Sequence, residues 1–319
     1  MDNEQSLSIR AAWLAYVGGY TQEQVAERLG VSRIKAQRLI AAAMQGGLVK
    51  FWVEGVPADC MALEDQLMKG FGLKRCVVVP STQDDDEPGD EIAGLAVAAS
   101  RWLCRELETG ALRSVGIGHG RTLAAMVDRM PKRHLPDTRF VSLLGSLTRS
   151  SAANPYDVIA RLAERTGGEC FFLPVPFIAD SGADADVLRA QSGVQHVFQM
   201  IRECELCVVG IGELGPHTHL QRSHSVTLEE RQRLTGLGAV GELAGRFIQA
   251  DGTLVDSEMN ERAVGASLED LRGRDVLAVA GGKYKADAIR AVLRSGVLTA
   301  LIVDEATAQA VLNPEGKAR

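Results

Sequence analysis

The chain has no surplus of positive charge: 35 lysines and arginines face 41 aspartates and glutamates, a formal net charge of −6 at pH 7. A protein that coats nucleic acid or anionic membrane without specificity needs the opposite balance. No apolar run is long enough to span a bilayer, and no charged, apolar, small-residue leader opens the chain, so a cytoplasmic protein with no membrane partner is expected. Internal repeats and low-complexity tracts are missing too, which excludes solenoids and fibres. The six cysteines are scattered and read as reduced thiols. Cys204 and Cys207 form a C-x-x-C without the second ligand pair of a zinc site, and Cys207 opens the apolar run Cys207-Val-Val-Gly, so two small buried side chains are expected there. His217, His219 and His224 stand close together in a polar stretch, where histidines are ordinarily solvated; neither a metal nor a cofactor is expected.

What is present is ample for a substantial core. The 319 residues exceed the usual size of one domain, and 46% of them are hydrophobic, so two globular domains are expected. Charge divides unevenly between them. Residues Met1 to Val53 hold six basic side chains (Arg10, Arg28, Arg33, Lys35, Arg38, Lys50) against four acidic ones (Asp2, Glu4, Glu23, Glu27), which gives +2 and leaves −8 for the rest. A mildly basic head on an acidic body fits DNA binding by the head alone.

The head is organised around Thr21 to Met44, TQEQVAERLGVSRIKAQRLIAAAM. Thr21 and Gln24 have the spacing of a capping box, Val25, Ala26 and Leu29 fall on one face, and Gly30 can adopt the positive φ that ends a helix. After the Gly30-Val31 turn, Ser32 can cap a second helix whose buried stripe is Ala36, Leu39, Ile40 and Ala43, with Gly46 and Gly47 as its stop. The opposite face carries Arg33, Lys35, Gln37 and Arg38, with no acidic residue from Val31 to Ala43. Such a face suits phosphates and base edges in a major groove, with Thr21 and Ser32 near phosphates. An ordinary helical hairpin with a solvated basic face is the alternative. A first helix over Leu7 to Val17, with Trp13, Leu14 and Val17 at helical spacing, completes a three-helix unit. Leu48 to Val53 reads as a strand, one arm of a wing.

Residues 1–53 are therefore a small all-α, winged helix-turn-helix head, 54–60 a linker and 61–319 a second domain. In that domain Cys60 to Phe71 reads as a helix that joins the domains or pairs subunits, and the acidic run Asp84 to Glu87 as a solvated loop. Glu91 to Leu107 is a long helix. Apolar strand-like runs then alternate with helical ones: Ser114 to Ile117, Phe140 to Leu144, Leu206 to Ile211, Val276 to Ala280 and Leu298 to Val303 each precede a helical stretch. Strands apolar on both faces, alternating with helices, predict an α/β fold with a doubly wound, mainly parallel sheet.

Ligands of such sheets sit beyond the C-terminal ends of the strands. Three glycine-rich stretches lie there. Val115-Gly-Ile-Gly-His-Gly-Arg-Thr-Leu123 allows close backbone approach and a helix N-terminus near Arg121 and Thr122 that can meet an anion, or else is a structural tight turn. Val209-Gly-Ile-Gly-Glu-Leu-Gly215 matches G-x-G-x-x-G, but Pro216 follows and no helix begins until about Thr227, so a pyrophosphate cradle is missing. Val279-Ala-Gly-Gly-Lys-Tyr-Lys-Ala-Asp-Ala-Ile289 places Gly281, Gly282 and Lys285 at a helix start, where a bound anion would offset a lysine that the helix dipole disfavours.

Ala11 to Val53 resembles the N-terminal domain of the SorC family of bacterial sugar-responsive transcription regulators. The resemblance continues through V-G-I-G-x-G and A-G-G-x-x-K-A. It implies a C-terminal effector domain similar in fold to sugar-phosphate isomerases, with Gly118, His119, Gly120, Arg121 and Thr122 as the first effector loop and Gly281, Gly282 and Lys285 as another. Family members usually carry an aromatic residue where this chain has His119, and an acidic one where it has Gln249. Gln249 can donate as well as accept, which would alter effector preference. Asn154-Pro-Tyr-Asp157 also matches, and Asn154 either caps the following helix or faces the ligand.

The function that follows is a DNA-binding regulator of a carbohydrate or polyol operon, and not an enzyme. Its expected partners are double-stranded operator DNA, a small sugar, polyol or sugar-phosphate effector, and its own copies as a dimer or tetramer. The alternative is an isomerase-like enzyme fused to a DNA-binding head, for which Gln249 at the suspected base position is the wrong residue.

Overall fold

The computed structural model describes residues 3–49, 55, 57–81, 89, 91–146, 158–215 and 226–313. The chain divides into two compact units, Met1–Gly55 and Val56–Arg319.

In the first unit, α1 (Asn3–Ala12) runs on into a π-helical turn, Trp13–Val17, and is followed by α2 (Gln22–Leu29) and α3 (Arg33–Gln45). The capping box at α2 forms in both directions. The Gln24 N–H donates to Thr21 Oγ1 at 3.4 Å and the Thr21 N–H donates to Gln24 Oε1 at 3.0 Å. Gly30 ends the helix at φ 64°. Ala11, Val25, Ala26, Ala36, Leu39 and Ile40 make the core of this unit.

Two expectations for the head change. Of the three residues at helical spacing Leu14 packs on the core, with Leu7 and Ala15, whereas Trp13 and Val17 are 59% and 68% exposed. For Val17 the cause is the π turn, in which the Gly18 N–H donates to Trp13 O at 2.9 Å. Its wider turn shifts the phase of the residues after it, so a 3.6-residue spacing no longer marks the inner face. The expected wing strand is not begun at Leu48 or Val49 either. Gly47 is left-handed at φ 65°, the Gly47 N–H donates to Met44 O and the Leu48 N–H to Ala43 O at 2.9 Å. That pair of bonds is a Schellman close, which ties these residues to the helix end. The rest of the expected strand, 50–53, lies outside the described residues.

The second unit runs α4 (Ala58–Phe71), β1 (Arg75–Val79), α5 (Glu91–Glu108), β2 (Ser114–Ile117), α6 (Arg121–Arg129), β3 (Arg139–Ser142), α7 (Val158–Thr166) and β4 (Glu169–Phe171). There follow α8 (Gly182–Ala190), α9 (Ser192–Glu203), β5 (Leu206–Val209), β6 (Gly212–Glu213), α10 (Leu228–Gly236), β7 (Ala239–Leu243) and β8 (Arg246–Gln249). Last come α11 (Glu258–Arg262), α12 (Leu268–Leu271), β9 (Asp275–Val279), α13 (Ala286–Arg294), β10 (Ala300–Asp304) and α14 (Glu305–Leu312).

Seven strands form one sheet in the order β1-β10-β9-β5-β2-β3-β4, every neighbouring pair parallel. The central strands β5 and β9 are almost wholly apolar because both faces are covered. Leu206, Val208, Leu277 and Val279 point into one core, and Cys207, Val209, Val276 and Ala278 into the other. The chain winds outward one way from β2 through β3 to β4, and the other way from β5 through β9 and β10. The direction therefore reverses between β2 and β5, which is where a doubly wound sheet opens its crevice.

Three features depart from the sequence reading. A second, antiparallel sheet, β6-β7-β8, and helix α8 were not anticipated. Helix α4 begins at Ala58, inside the stretch expected as linker. It buries Cys60, Leu63 and Leu67 in the body core and leaves Met61 exposed. Cys204 and Cys207 are free and buried, and Cys204 Sγ donates to Met200 O. Asn154, the 84–87 acidic run and His217, His219 and His224 lie outside the described residues.

Candidate functional site

On the head, Arg33, Ile34, Lys35, Gln37 and Arg38 are all exposed, on the side of α3 away from its buried stripe. Ser32 accepts the Lys35 N–H at 3.2 Å, which uses one of its lone pairs at the helix start and leaves its hydroxyl proton to donate outward. Thr21 stands in the same condition at the start of α2.

In the body, β9, β5 and β2 are adjacent and parallel, so their C-terminal ends open on one edge. Beyond β2 the Gly118 N–H donates to Val208 O at 2.8 Å, which holds the loop against β5. Gly120 then takes φ 127°, ψ 165°, a conformation reserved for glycine, and α6 starts immediately with Arg121 and Thr122 in its first turn. The first N–H groups of α6 are free to meet an anion. His119 Nε2 lies 3.3 Å from Ser142 Oγ, which donates to Leu144 O, so the imidazole is anchored to the next strand.

Beyond β9 the buried Asp304 holds the second loop. Its Oδ2 accepts the Gly282 N–H at 2.9 Å, and its Oδ1 accepts the Thr307 N–H at the start of α14. A Cβ at Gly281 would collide with that carboxylate, which explains the bare backbone there. A short 3₁₀ turn, Lys283–Lys285, delivers Lys285 to the start of α13.

The charges at this edge come from five places in the chain. Burial pushes the Lys285 ammonium below its ordinary pKa; Glu91, Glu213 and Glu242 pull it back up, and Arg121 lowers it further. Burial pushes the Glu242 carboxyl up to about 7, opposed by the Gly245 N–H, which donates to Oε1 at 2.5 Å, and by Lys285. Burial, aided by Glu91, likewise takes Tyr284 up to about 12, and its hydroxyl donates to Glu91 Oε1 at 3.3 Å. Two cations near a helix N-terminus and three carboxylates on one desolvated edge can recognise a polyhydroxylated molecule with an anionic group. The carboxylates accept hydroxyls, and Arg121, Lys285 and the α6 amides take the anion.

Residues 56–313 match the family model described as "Putative sugar-binding domain". Over 317 residues, 99% of this chain and 99% of the relative, the sequence is 45% identical to the erythritol catabolism regulatory protein EryD of Brucella abortus (strain 2308). The chain belongs to the SorC family of sugar-responsive transcription regulators. Transcriptional regulator LsrR of Klebsiella pneumoniae is 32% identical over 97% of this chain and 93% of its own length. The full-length sorbitol operon regulator SorC from Klebsiella pneumoniae has the same fold, with a TM-score of 0.70 and 22% identity over 98% of this chain and 100% of that one. These proteins are regulators and not enzymes, and this chain is a transcriptional regulator like them.

Placed on the SorC-family fold, the expected effector residues divide. The loop at Gly118 to Thr122 and the loop at Gly281 to Lys285 face one edge, joined electrostatically through Arg121 and Lys285. Gln249 sits apart, at the end of β8 paired with Ala239, beside Gly238. Glu242, near the β7–β8 turn, is the residue of that segment that interacts with Lys285. Sequence reading passed over Glu242, Glu213 and Glu91. The signal for Glu242 was present as a lone charge within the small and apolar run Gly238-Ala-Val-Gly-Glu-Leu-Ala. The argument from Gln249 against catalysis is also corrected. A carboxylate of raised pKa does stand beside Lys285, so what separates this chain from an enzyme is its kinship and not the lack of a base.

Proposed function

We propose that the chain represses or activates an operon for uptake or breakdown of a short polyol or sugar, and that a polyol, sugar or sugar phosphate held between Arg121, Glu242 and Lys285 controls it. The observation that supports the effector reading is that the loops carrying Arg121 and Lys285 leave β2 and β9 on either side of β5, with Lys285 within electrostatic reach of both Arg121 and Glu242. Kinship to a regulator of erythritol catabolism makes erythritol and its phosphates the first compounds to try. The head is the DNA reader, through Arg33, Lys35, Gln37 and Arg38, with Thr21 and Ser32 at phosphates. The body holds effector and pairs copies into the dimer or tetramer that a palindromic site requires, and the protein works in the cytoplasm. Effector draws the 118–122 and 281–285 loops together, and the change in subunit packing alters the spacing of the α3 helices on DNA.

The test is a titration of the purified full chain on a duplex selected from a random-sequence pool, with erythritol, an erythritol phosphate and a pentose phosphate added in turn. At least one compound should shift the binding midpoint and raise the thermal midpoint of the protein. Silence from all three in both measurements would refute this effector class. Arg38→Ala should weaken binding to the selected duplex by about 1 to 3 kcal/mol, and equal binding would remove Arg38 from the reading face.

A further inference from the structure

Helix α3 carries a side chain that the rest of the head does not use. Ile34 is 72% exposed, the most exposed of the large hydrophobic residues named in either unit, and it stands between the exposed Arg33 and Lys35 in the first turn of the helix. It is absent from the head core, whose α3 members are Ala36, Leu39 and Ile40. A β-branched residue is also a poor choice for a solvent-facing helix position, where its χ1 freedom is restricted and its apolar surface stays wet. Propensity and packing therefore both fail to account for it.

Its surroundings indicate what covers it. Arg33, Lys35 and Arg38 share the face, and no acidic side chain occurs from Val31 to Ala43, so a polyanion is the complementary partner. In helix-turn-helix proteins the first residues of the second helix meet base edges in the major groove. The one apolar group that B-DNA presents there is the C5-methyl of thymine. We propose that Ile34 is a specificity-determining residue that packs on a thymine methyl, while the arginines and lysine beside it supply phosphate and hydrogen-bonding contacts.

The inference rests on the proposed DNA-reading role of the head, and its test separates the two. The full chain is used to select a duplex from a random-sequence pool, and each thymine of that duplex is then replaced singly by uracil, which removes the methyl and keeps every hydrogen-bonding group. For the wild type, one thymine per half-site should show about a fourfold loss of affinity on replacement, the worth of one buried methyl-sized group. Ile34→Ala should bind the thymine duplex more weakly and show no difference between thymine and uracil there, and Ile34→Val should keep part of the difference. Failure of the wild type to select any duplex would refute the DNA-reading role itself. Binding with no uracil-sensitive position, or an equal thymine preference in Ile34→Ala, would refute the role of Ile34 alone. A changed oligomeric state or a lowered thermal midpoint in Ile34→Ala would assign the side chain to a protein contact and overturn the proposal.

Discussion

Arg33, Lys35 and Arg38 stand in solvent on a helix without a carboxylate, whereas Arg121 and Lys285 share a partly desolvated edge with Glu91, Glu213 and Glu242. The same two residue types thus do different work in the two units. Exposed cations are screened by water and salt, so the proposed DNA-reading role of the head would draw its affinity from their number and direction by releasing counterions. Desolvated charges are weakly screened, so at the Arg121–Lys285 edge each interaction counts for more and must be balanced locally.

The largest effect that would sharpen this contrast is expected at Lys285. Lys285→Met leaves three carboxylates facing Arg121 alone, and should weaken binding of an anionic effector by about 30-fold or more, as truncating one partner of a buried charge pair does. Calorimetry with an erythritol phosphate measures that loss. Operator affinity without effector should stay within about twofold by the same charge-type argument, since the reading face is untouched; an equal loss in both would break the contrast.

A smaller effect is expected from Glu242 through pH. Its folded pKa is raised to about 7 from an ordinary 4.5, so the unfolded chain ionises first as pH rises. The folded state then loses stability between those two values, and the loss levels off above the folded pKa. Glu242→Gln has no such slope. Thermal midpoints of the full chain should coincide near pH 4, with the variant several degrees higher at pH 8. A constant difference across that range would mean that Glu242 does not titrate there. The smallest effect belongs to the head: Ser32→Ala removes the acceptor of the Lys35 N–H and should cost about 1 kcal/mol of head stability in chemical denaturation, leaving effector affinity unchanged.

The head was nearly all legible because its determinants are local. Thr21 with Gln24, Gly30 and Ser32 are each decided within four residues, and the structure has all of them in those roles. The π turn escaped because nothing in the Trp13 to Val17 spacing distinguishes an i+5 turn from an i+4 one. In the body, apolar strands and glycine ends located the sheet and the two glycine loops at Gly118 and Gly281 that leave its strand ends. The carboxylates were not legible, because Glu91, Glu213 and Glu242 meet Lys285 only through tertiary packing, from 194, 72 and 43 positions away in sequence. Short strands such as β6 and β7, rich in glycine and carrying glutamates, also give no alternation from which to read a sheet.

One consequence of the strand order is a length gauge. The loops that carry Arg121 and Lys285 leave β2 and β9, which are separated only by β5, so their anchor points lie two strand spacings apart, about 10 Å. Hydrogen-bonded strands hold that separation, so the two anchors form a fixed frame. Under the proposed effector role, a single sugar or polyol with its phosphate is of a length to reach from one anchor to the other.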